Sequence, residues 1–409
     1  MVAILLAGVL VACGPLPAQP GDASRPPAAP VIAACVETTP CPVCPACPPP
    51  KPAPAEARYE EISWRDLPAW TLTALAPSLR AFVAGCARLQ SRPLWQSTCK
   101  EARTLGGEDE SGARAFFESR FVAYRVVAPD GGAEGLVTGY YEPVLRGRRE
   151  QTAGYPYPVF GVPDDLVVVD LAELHPELRN LRLRGRLEGR RLVPYYSRAQ
   201  IESSTAPFPA KPLAWVADAV DLFFLQIQGS GQIELGAGGR MRLGFAEQNG
   251  HPYQSLGRYL VERGEMNLEQ ASMQAIKEWA AQNPGKLQAA LNHNPSYVFF
   301  RELPPAANPG EGPPGALGVA LTAGYSIAVD PRYIPLGAPV FLATTYPLSS
   351  KALARLTIAQ DTGGAIRGAV RADLFWGNGS EAGSQAGRMR QQGRMWLLWP
   401  RGETLPRQP

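Results

Sequence analysis

The spacing of apolar residues changes several times along the chain, and each change marks a different kind of element. The opening MVAILLAGVLVAC is almost continuously apolar, but too short to cross a bilayer, which takes roughly 20 such residues. It has the length of a signal-peptide core. From Pro15 to about Ala57 that pattern gives way to proline and alanine, as in CPVCPACPPPKPAPAEA. Such a stretch cannot bury enough apolar surface to offset its ordering entropy, which predicts an extended tether. Residues from about 60 to 125 show helical spacing instead, in Leu79, Phe82, Val83 and Cys86 and again in Phe116, Phe117, Phe121 and Val122.

From Gly135 the apolar runs become short and are punctuated by glycine and proline: GLVTGYYEPVL, YPYPVFGVP, DLVVVDL, RRLVPYYSR and PLAWVADAVDLFFLQIQGSGQIEL. These predict closely spaced strands, as in a barrel or a sandwich. Helical spacing returns through YQSLGRYLVERG and NLEQASMQAIKEWAAQN and stops at Pro284-Gly285. Strands resume at SYVFFREL, cross a loop from Pro304 to Gly315 and continue to the end. Within this region LQIQGSGQIEL predicts a hairpin turning at Gly229, Ser230 and Gly231, with Gln226, Gln228 and Gln232 along one face. Amides offer both donors and acceptors to sugar hydroxyl and N-acetyl groups; a solvated hairpin face is the alternative. LTIAQ and AIRGAV read as strands joined by a DTGG turn, and ADLFWG as another strand.

Composition supports a mainly β chain, since 41 glycines and 42 prolines supply many tight turns. At 409 residues and 45% hydrophobic content the chain is long enough for more than one core, which predicts two domains behind the tail. The formal charge of +3 arises from 40 basic and 37 acidic residues without a basic block, so nucleic acid is not the expected partner. The three histidines are scattered and most of the seven cysteines lie in or just after the tail, so no metal or cofactor is expected.

The tail reads as an address. Leu10-Val11-Ala12-Cys13 resembles the lipobox of bacterial lipoproteins, in which the cysteine is lipidated, and Gly14 rather than Asp follows it, a pattern of outer-membrane sorting. No Lys or Arg precedes the apolar run, and a cleaved secreted form is the alternative. Cys41, Cys44 and Cys47 form a CxxCxxC run whose prolines and exported context favour disulfides or idle thiols over metal. Cys86 and Cys99 lie in helical sequence on either side of a turn-like SRP, and a disulfide stapling two helices is expected.

The candidate chemistry lies in QDTGGAIRGAVRADLFWGNGSEAG, Gln360 to Gly383. Asp373 stands beside Leu374, Phe375 and Trp376, and a carboxyl against apolar surface is raised in pKa and can stay protonated as a general acid. A solvated strand-edge Asp is the bland reading, as a turn cap is for Asp361. DTG also resembles the loops of aspartic peptidases, which need two such motifs; this chain has one.

TGYYEP, QIQGSG, SMQAIKEW, NPSYVFF, SIAVDPRYIPLGAPVF and the block around Asp373, in this order, resemble the membrane-bound lytic transglycosylase A (MltA) family from about Thr138 to the C-terminus. The resemblance implies a signal segment, 1–13, and a tether, 14–57. It also implies a double-psi β-barrel domain from 58–142 and 310–409, with helices at its N-terminus, and an inserted β-barrel domain, 143–309, with the substrate groove between them. It implies a lytic exotransglycosylase acting on peptidoglycan glycan strands without metal or cofactor, in which Asp373 is the single acid and base and Asp361 supports it. The groove residues carried over are Thr138, Tyr140, Tyr141, Gln226, Gln228, Gly229, Ser230, Gly231, Gly363, Gly364 and Gly377. Of the alternating Tyr140 and Tyr141 only one need face the groove, and Phe375 and Trp376 read as packing. Glu142 and Gln360 depart from some relatives. The expected setting is the periplasm, at the inner face of the outer membrane through a lipid anchor, with a cell-wall synthesis or division complex as a further partner. The rival reading is a non-catalytic peptidoglycan-binding lipoprotein on the same barrel.

Overall fold

The computed structural model describes residues 56–406 apart from 108, 176, 177, 179, 180, 182, 204–207, 237, 268–271 and 307–309. Cys13, the tether and the CxxCxxC run lie outside the described residues. Everything below belongs to one compact unit, Ala53–Pro409.

The chain starts with β1 (Arg58–Ile62) and three helices, α1 (Ala76–Leu89), α2 (Pro93–Leu105) and α3 (Glu110–Arg120), followed by β2 (Phe121–Val127) and β3 (Gly135–Glu142). Then come β4 (Val144–Arg148), β5 (Tyr157–Phe160), β6 (Val167–Val168), β7 (Arg184–Glu188), β8 (Arg191–Pro194), α4 (Arg198–Ser203) and β9 (Pro212–Val216). α5 (Ala219–Gln228) leads into β10 (Ser230–Glu234) and β11 (Arg240–Gln248). Helices α6 (Leu256–Glu262), α7 (Met273–Gln282) and α8 (Pro284–Asn292) precede β12 (Val298–Leu303). The last part holds β13 (Ser326–Val329), β14 (Pro339–Thr345), β15 (Ala352–Asp361), β16 (Ala372–Asn378), α9 (Gly379–Ala386) and β17 (Arg390–Pro400).

The protein is mainly β with helices. Eight strands run in the order β1-β2-β17-β14-β15-β13-β16-β3, and a further pairing of β3 with β17 closes six of them into a barrel. A second sheet, β12-β11-β10-β4-β9-β5, and a three-stranded sheet, β6-β7-β8, are built from the residues between β3 and β13. The chain crosses between the two large sheets at Pro143, and buried Glu142 ties them there. Its Oε2 accepts from Gln232 Nε2 on β10 at 2.8 Å and from Asn378 Nδ2 on β16 at 2.7 Å. Burial raises the pKa of this carboxyl against both hydrogen bonds. Gln360, also buried, accepts from Ser326 Oγ and donates to the Ala81 carbonyl. Both departures noted in the sequence are thus structural bonds across elements.

Helices α1 to α3 pack on the barrel through an aromatic cluster of Phe82, Trp95, Phe116, Phe117, Phe121 and Trp399. Cys86 and Cys99, both fully buried, join α1 to α2 by a disulfide. Their separation of 13 residues matches a loop whose closure is worth about 3 kcal/mol. Replacing both cysteines with serine is expected to remove about that much from the unfolding free energy, read by denaturant titration. No change would mean that the aromatic packing alone holds the helix pair.

Three expectations fail here. Phe121 and Val122, read with the helical spacing, open strand β2, because α3 ends at Arg120. LQIQGSGQIEL is not a hairpin: Leu225–Gln228 ends α5, and only Ser230–Glu234 is a strand. Asp218 caps the helix by accepting from the Asp221 N–H, and Gly229 closes it at φ 77°, a left-handed conformation that glycine adopts without strain. The apolar residues of α5 serve two cores, Leu222 and Leu225 facing the six-stranded sheet while Val220 and Phe223 face α6 to α8. That two-sided burial blurs its period. AIRGAV is likewise no strand, because Gly368 sits at φ 110° and gives its N–H to Asp330 Oδ2 at 2.9 Å. This folds the segment so that Ile366 covers Tyr140 and Phe375.

Candidate active site

Barrel register brings four residues into one row. Asp361 on β15 is the partner of Ala328 on β13, Ala328 of Asp373 on β16, and Asp373 of Thr138 on β3. Directly paired residues share a face of the sheet. The two carboxyls therefore project from the same side, two strand spacings or about 10 Å apart at their Cα atoms, with only a methyl group between. The opposite faces of these strands, through Val137, Ile327, Val329, Ala372 and Leu374, belong to the main core.

The two aspartates are held differently. Asp373 Oδ1 accepts from the Thr138 hydroxyl at 2.6 Å, and that hydroxyl oxygen in turn accepts from Arg371 Nη2 at 2.9 Å. Asp361 has both oxygens engaged: Oδ1 accepts the N–H groups of Ala316 and Thr362, each at 2.9 Å, and Oδ2 accepts the Tyr140 hydroxyl at 3.0 Å. Burial pushes both carboxyls above the ordinary carboxylate range. At Asp361 the three donors oppose this and the nearby Asp373 charge adds to it; at Asp373 Thr138 and Arg371 oppose it. The Tyr140 phenol is driven well above its usual range, by burial first and then by the two aspartates, and stays a donor. Asp361 is the more fully hydrogen-bonded carboxylate, and Asp373 is the group with an oxygen left to carry a proton.

Both aspartates line a cleft of about 690 Å³. Its barrel side carries Arg371, Thr362, Gly363, Gly364 and Ile366; the other side carries the end of α5, the start of β10, and residues of β11 and β12. Gln226, Gln228, Gly229 and Ser230 are on this wall, delivered by a helix terminus instead of a hairpin. Gln228 Oε1 accepts from the Tyr141 N–H at 3.1 Å, leaving its amide N–H groups for the cleft. Gln226 is buried, with Oε1 lacking a partner.

Several expected residues lie elsewhere. Tyr140 is buried, its ring 5.3 Å from that of Phe375, so it serves the site only through its hydroxyl. Tyr141 lines a smaller neighbouring pocket with Met273 and Ile276. Thr138 acts behind Asp373 and not on the cleft surface. Gly231 is a packing position, where a Cβ would lie 2.3 Å from Leu225 Cδ1. Gly377 borders a separate cavity with Trp376, Gln232 and Arg242. Gln232 is turned to Glu142. Sequence reading missed Arg371, Arg198, Arg301, Phe245 and Tyr253, all on the cleft. The last two are aromatic rings 40% and 44% exposed there, and only Arg371, two residues before Asp373, carried a local signal. Among the described residues no group of His, Cys, Asp or Glu is placed to hold a metal.

Comparison with known proteins places this cleft in context. Residues 136–301 match the MltA specific insert domain and residues 325–399 match the 3D domain. The membrane-bound lytic murein transglycosylase A of Escherichia coli K12 is 32% identical over 283 residues, 68% of either chain. The chain belongs to the MltA family. The MltA of Neisseria gonorrhoeae superposes with a TM-score of 0.75 at 41% identity, covering 88% of this chain and 98% of that one. Escherichia coli MltA with bound chitohexaose aligns with a TM-score of 0.62 at 26% identity, over 85% of this chain and 92% of that one. The Asp361 to Thr138 row of this MltA-family member lies within the matched 3D domain, except for Thr138 at the start of the matched insert.

Proposed function

We propose that this chain is a lytic transglycosylase that cleaves the β-1,4 bond between N-acetylmuramic acid and N-acetylglucosamine in peptidoglycan and leaves 1,6-anhydromuramic ends. The observation that carries this reading is Asp373, which lines the cleft with one carboxyl oxygen engaged by Thr138 and the other unengaged, its pKa raised by burial. The related Escherichia coli protein holds chitohexaose, a β-1,4 chain of the same sugar backbone.

Asp373 donates its proton to the glycosidic oxygen as the bond to C1 breaks. The C6 hydroxyl of the same muramic residue then attacks C1, and the Asp373 carboxylate takes its proton, which restores the acid. The nucleophile is already attached to the sugar, so the entropy of bringing in a second reactant is largely avoided. Two carboxylates are needed when one of them must activate water or form a covalent bond to the sugar; here neither task arises. Thr138 fixes which oxygen of Asp373 stays free, Arg371 steadies the carboxylate formed midway, and Asp361 remains an anion facing the positive charge that develops at the sugar.

Residues 58–142 with 310–409, and 143–309, act in this reading as two domains with the glycan between them. The setting is the periplasm, with Cys13 lipidated at the inner face of the outer membrane. The lipobox supports this, and among the described residues no helix is long and apolar enough to cross a membrane.

Digestion of purified peptidoglycan by the full-length chain tests the activity. Soluble muropeptides lighter by one water at the glycan end are expected by mass spectrometry. Reducing ends would make the protein a hydrolase, and bound but uncut strands would make it a binding lipoprotein.

A further inference from the structure

Three arginines line the cleft, and two of them are committed to the protein. Arg198 is 1% exposed and gives its guanidinium to the Asn294 and Ser296 carbonyls and to Glu202. Arg371 is half-buried and bonds to Thr138 and the Leu136 carbonyl. Arg301 on β12 is exposed and has no hydrogen-bond or ion-pair partner among the described residues. Its cross-strand partner is Gly244 on β11, whose own partner is Ser230 on β10. All three line the cleft. Because paired residues share a face, the row Ser230-Gly244-Arg301 offers a hydroxyl and a free guanidinium, separated by a glycine against which Leu303 packs, on the wall across from Asp361 and Asp373.

A neutral glycan has nothing to pair with such a cation, whereas the muramic residues of peptidoglycan carry an anionic substituent. We propose that Arg301, with Ser230 beside it, is a subsite for a carboxylate on the muramic-acid substituent, and so selects peptidoglycan over neutral β-1,4 chains of N-acetylglucosamine. The planar, unpaired guanidinium of Arg301 can meet a carboxylate with two parallel N–H donors. In strands that keep their stem peptides the carboxylate belongs to the peptide; in strands stripped of peptides it is the lactyl group itself. This inference rests on the transglycosylase reading.

The test compares the full-length chain with its Arg301→Ala and Arg301→Lys variants, each also carrying Asp373→Asn so that strands bind without being cut. Binding is measured to three probes: peptide-bearing glycan strands, peptide-stripped strands and chitohexaose. Arg301→Ala is expected to weaken at least one anionic strand about tenfold while leaving chitohexaose within about twofold, with Lys intermediate. Which anionic probe responds identifies the carboxylate. Charge pairing in an open cleft is screened, so the difference between the parent and Arg301→Ala should shrink as salt rises. Equal weakening for all three probes, or no weakening for any, overturns the selective role. If Asp373→Asn alone binds no strand and the wild type cuts none, it is the transglycosylase reading that fails, and the inference with it.

Discussion

Asp373→Asn is expected to lower the rate of peptidoglycan cleavage by roughly 10³- to 10⁴-fold, because in the proposed mechanism one group serves as acid and then as base and acid–base catalysis is worth about 10² to 10⁴. The change keeps the size of the side chain and leaves an oxygen to accept from Thr138 Oγ, so the loss belongs to the missing proton and not to a collapsed site. Asp361→Asn should cost less, since the proposed mechanism gives Asp361 only a supporting role. Initial rates of muropeptide release, compared with strand binding, separate these effects; Asp373→Asn activity within tenfold of the parent would remove Asp373 from the mechanism.

The same carboxyl sets a pH dependence. Its pKa is raised by burial, so the acid form persists above the ordinary carboxylate range and the rate should fall as pH rises through the raised value. Stability moves in the same direction. Between the ordinary value of 3.8 and the raised one, the folded chain keeps a proton that the unfolded chain has released, and rising pH therefore destabilises the fold. Asp373→Asn removes that share of the slope, which a series of denaturant titrations across pH would show.

Arg198→Ala is expected to destabilise the protein by about 3 to 5 kcal/mol, the usual range for removing one member of a buried charged network. Three bonds end on this guanidinium, to Asn294 O at 3.0 Å, Ser296 O at 2.7 Å and Glu202 at 3.0 Å. It is also stacked over Phe223 and Tyr297, 4.8 and 5.0 Å from their ring centres. Truncation leaves two buried carbonyls without donors and opens a space beside α5. Asn294 and Ser296 line the cleft, so substrate affinity should fall along with stability. Hydrogen exchange should rise first in the segment from Asn294 to Phe299. A loss below about 1 kcal/mol would mean that water takes over the bonds.

Local pattern carried much of this protein. Helices α1 to α3 were legible because their apolar positions recur on one face over several turns, and the strands of the barrel because short apolar runs end at glycine and proline. Asp373 stood out from its apolar and aromatic neighbours alone, and the order of motifs from TGYYEP onward pointed to the MltA family. What remained hidden depends on contacts between residues far apart in sequence. The QIQGSG stretch gives the same alternation whether it forms a hairpin or the end of a helix followed by a strand, and only the two cores flanking α5 decide between them. Tyr140 is carried over by the resemblance as a groove residue, yet barrel closure buries its ring and turns its hydroxyl to Asp361. Arg198 and Arg301 are both arginines in unremarkable sequence; one is locked into the wall and the other left free because of what packs against each. The sequence by itself determined which residues are apolar, which turn and which can hold a proton. The tertiary structure alone decided that Asp361, Ala328, Asp373 and Thr138 share one row, since strand register couples positions up to 235 residues apart through backbone bonds that no local pattern encodes.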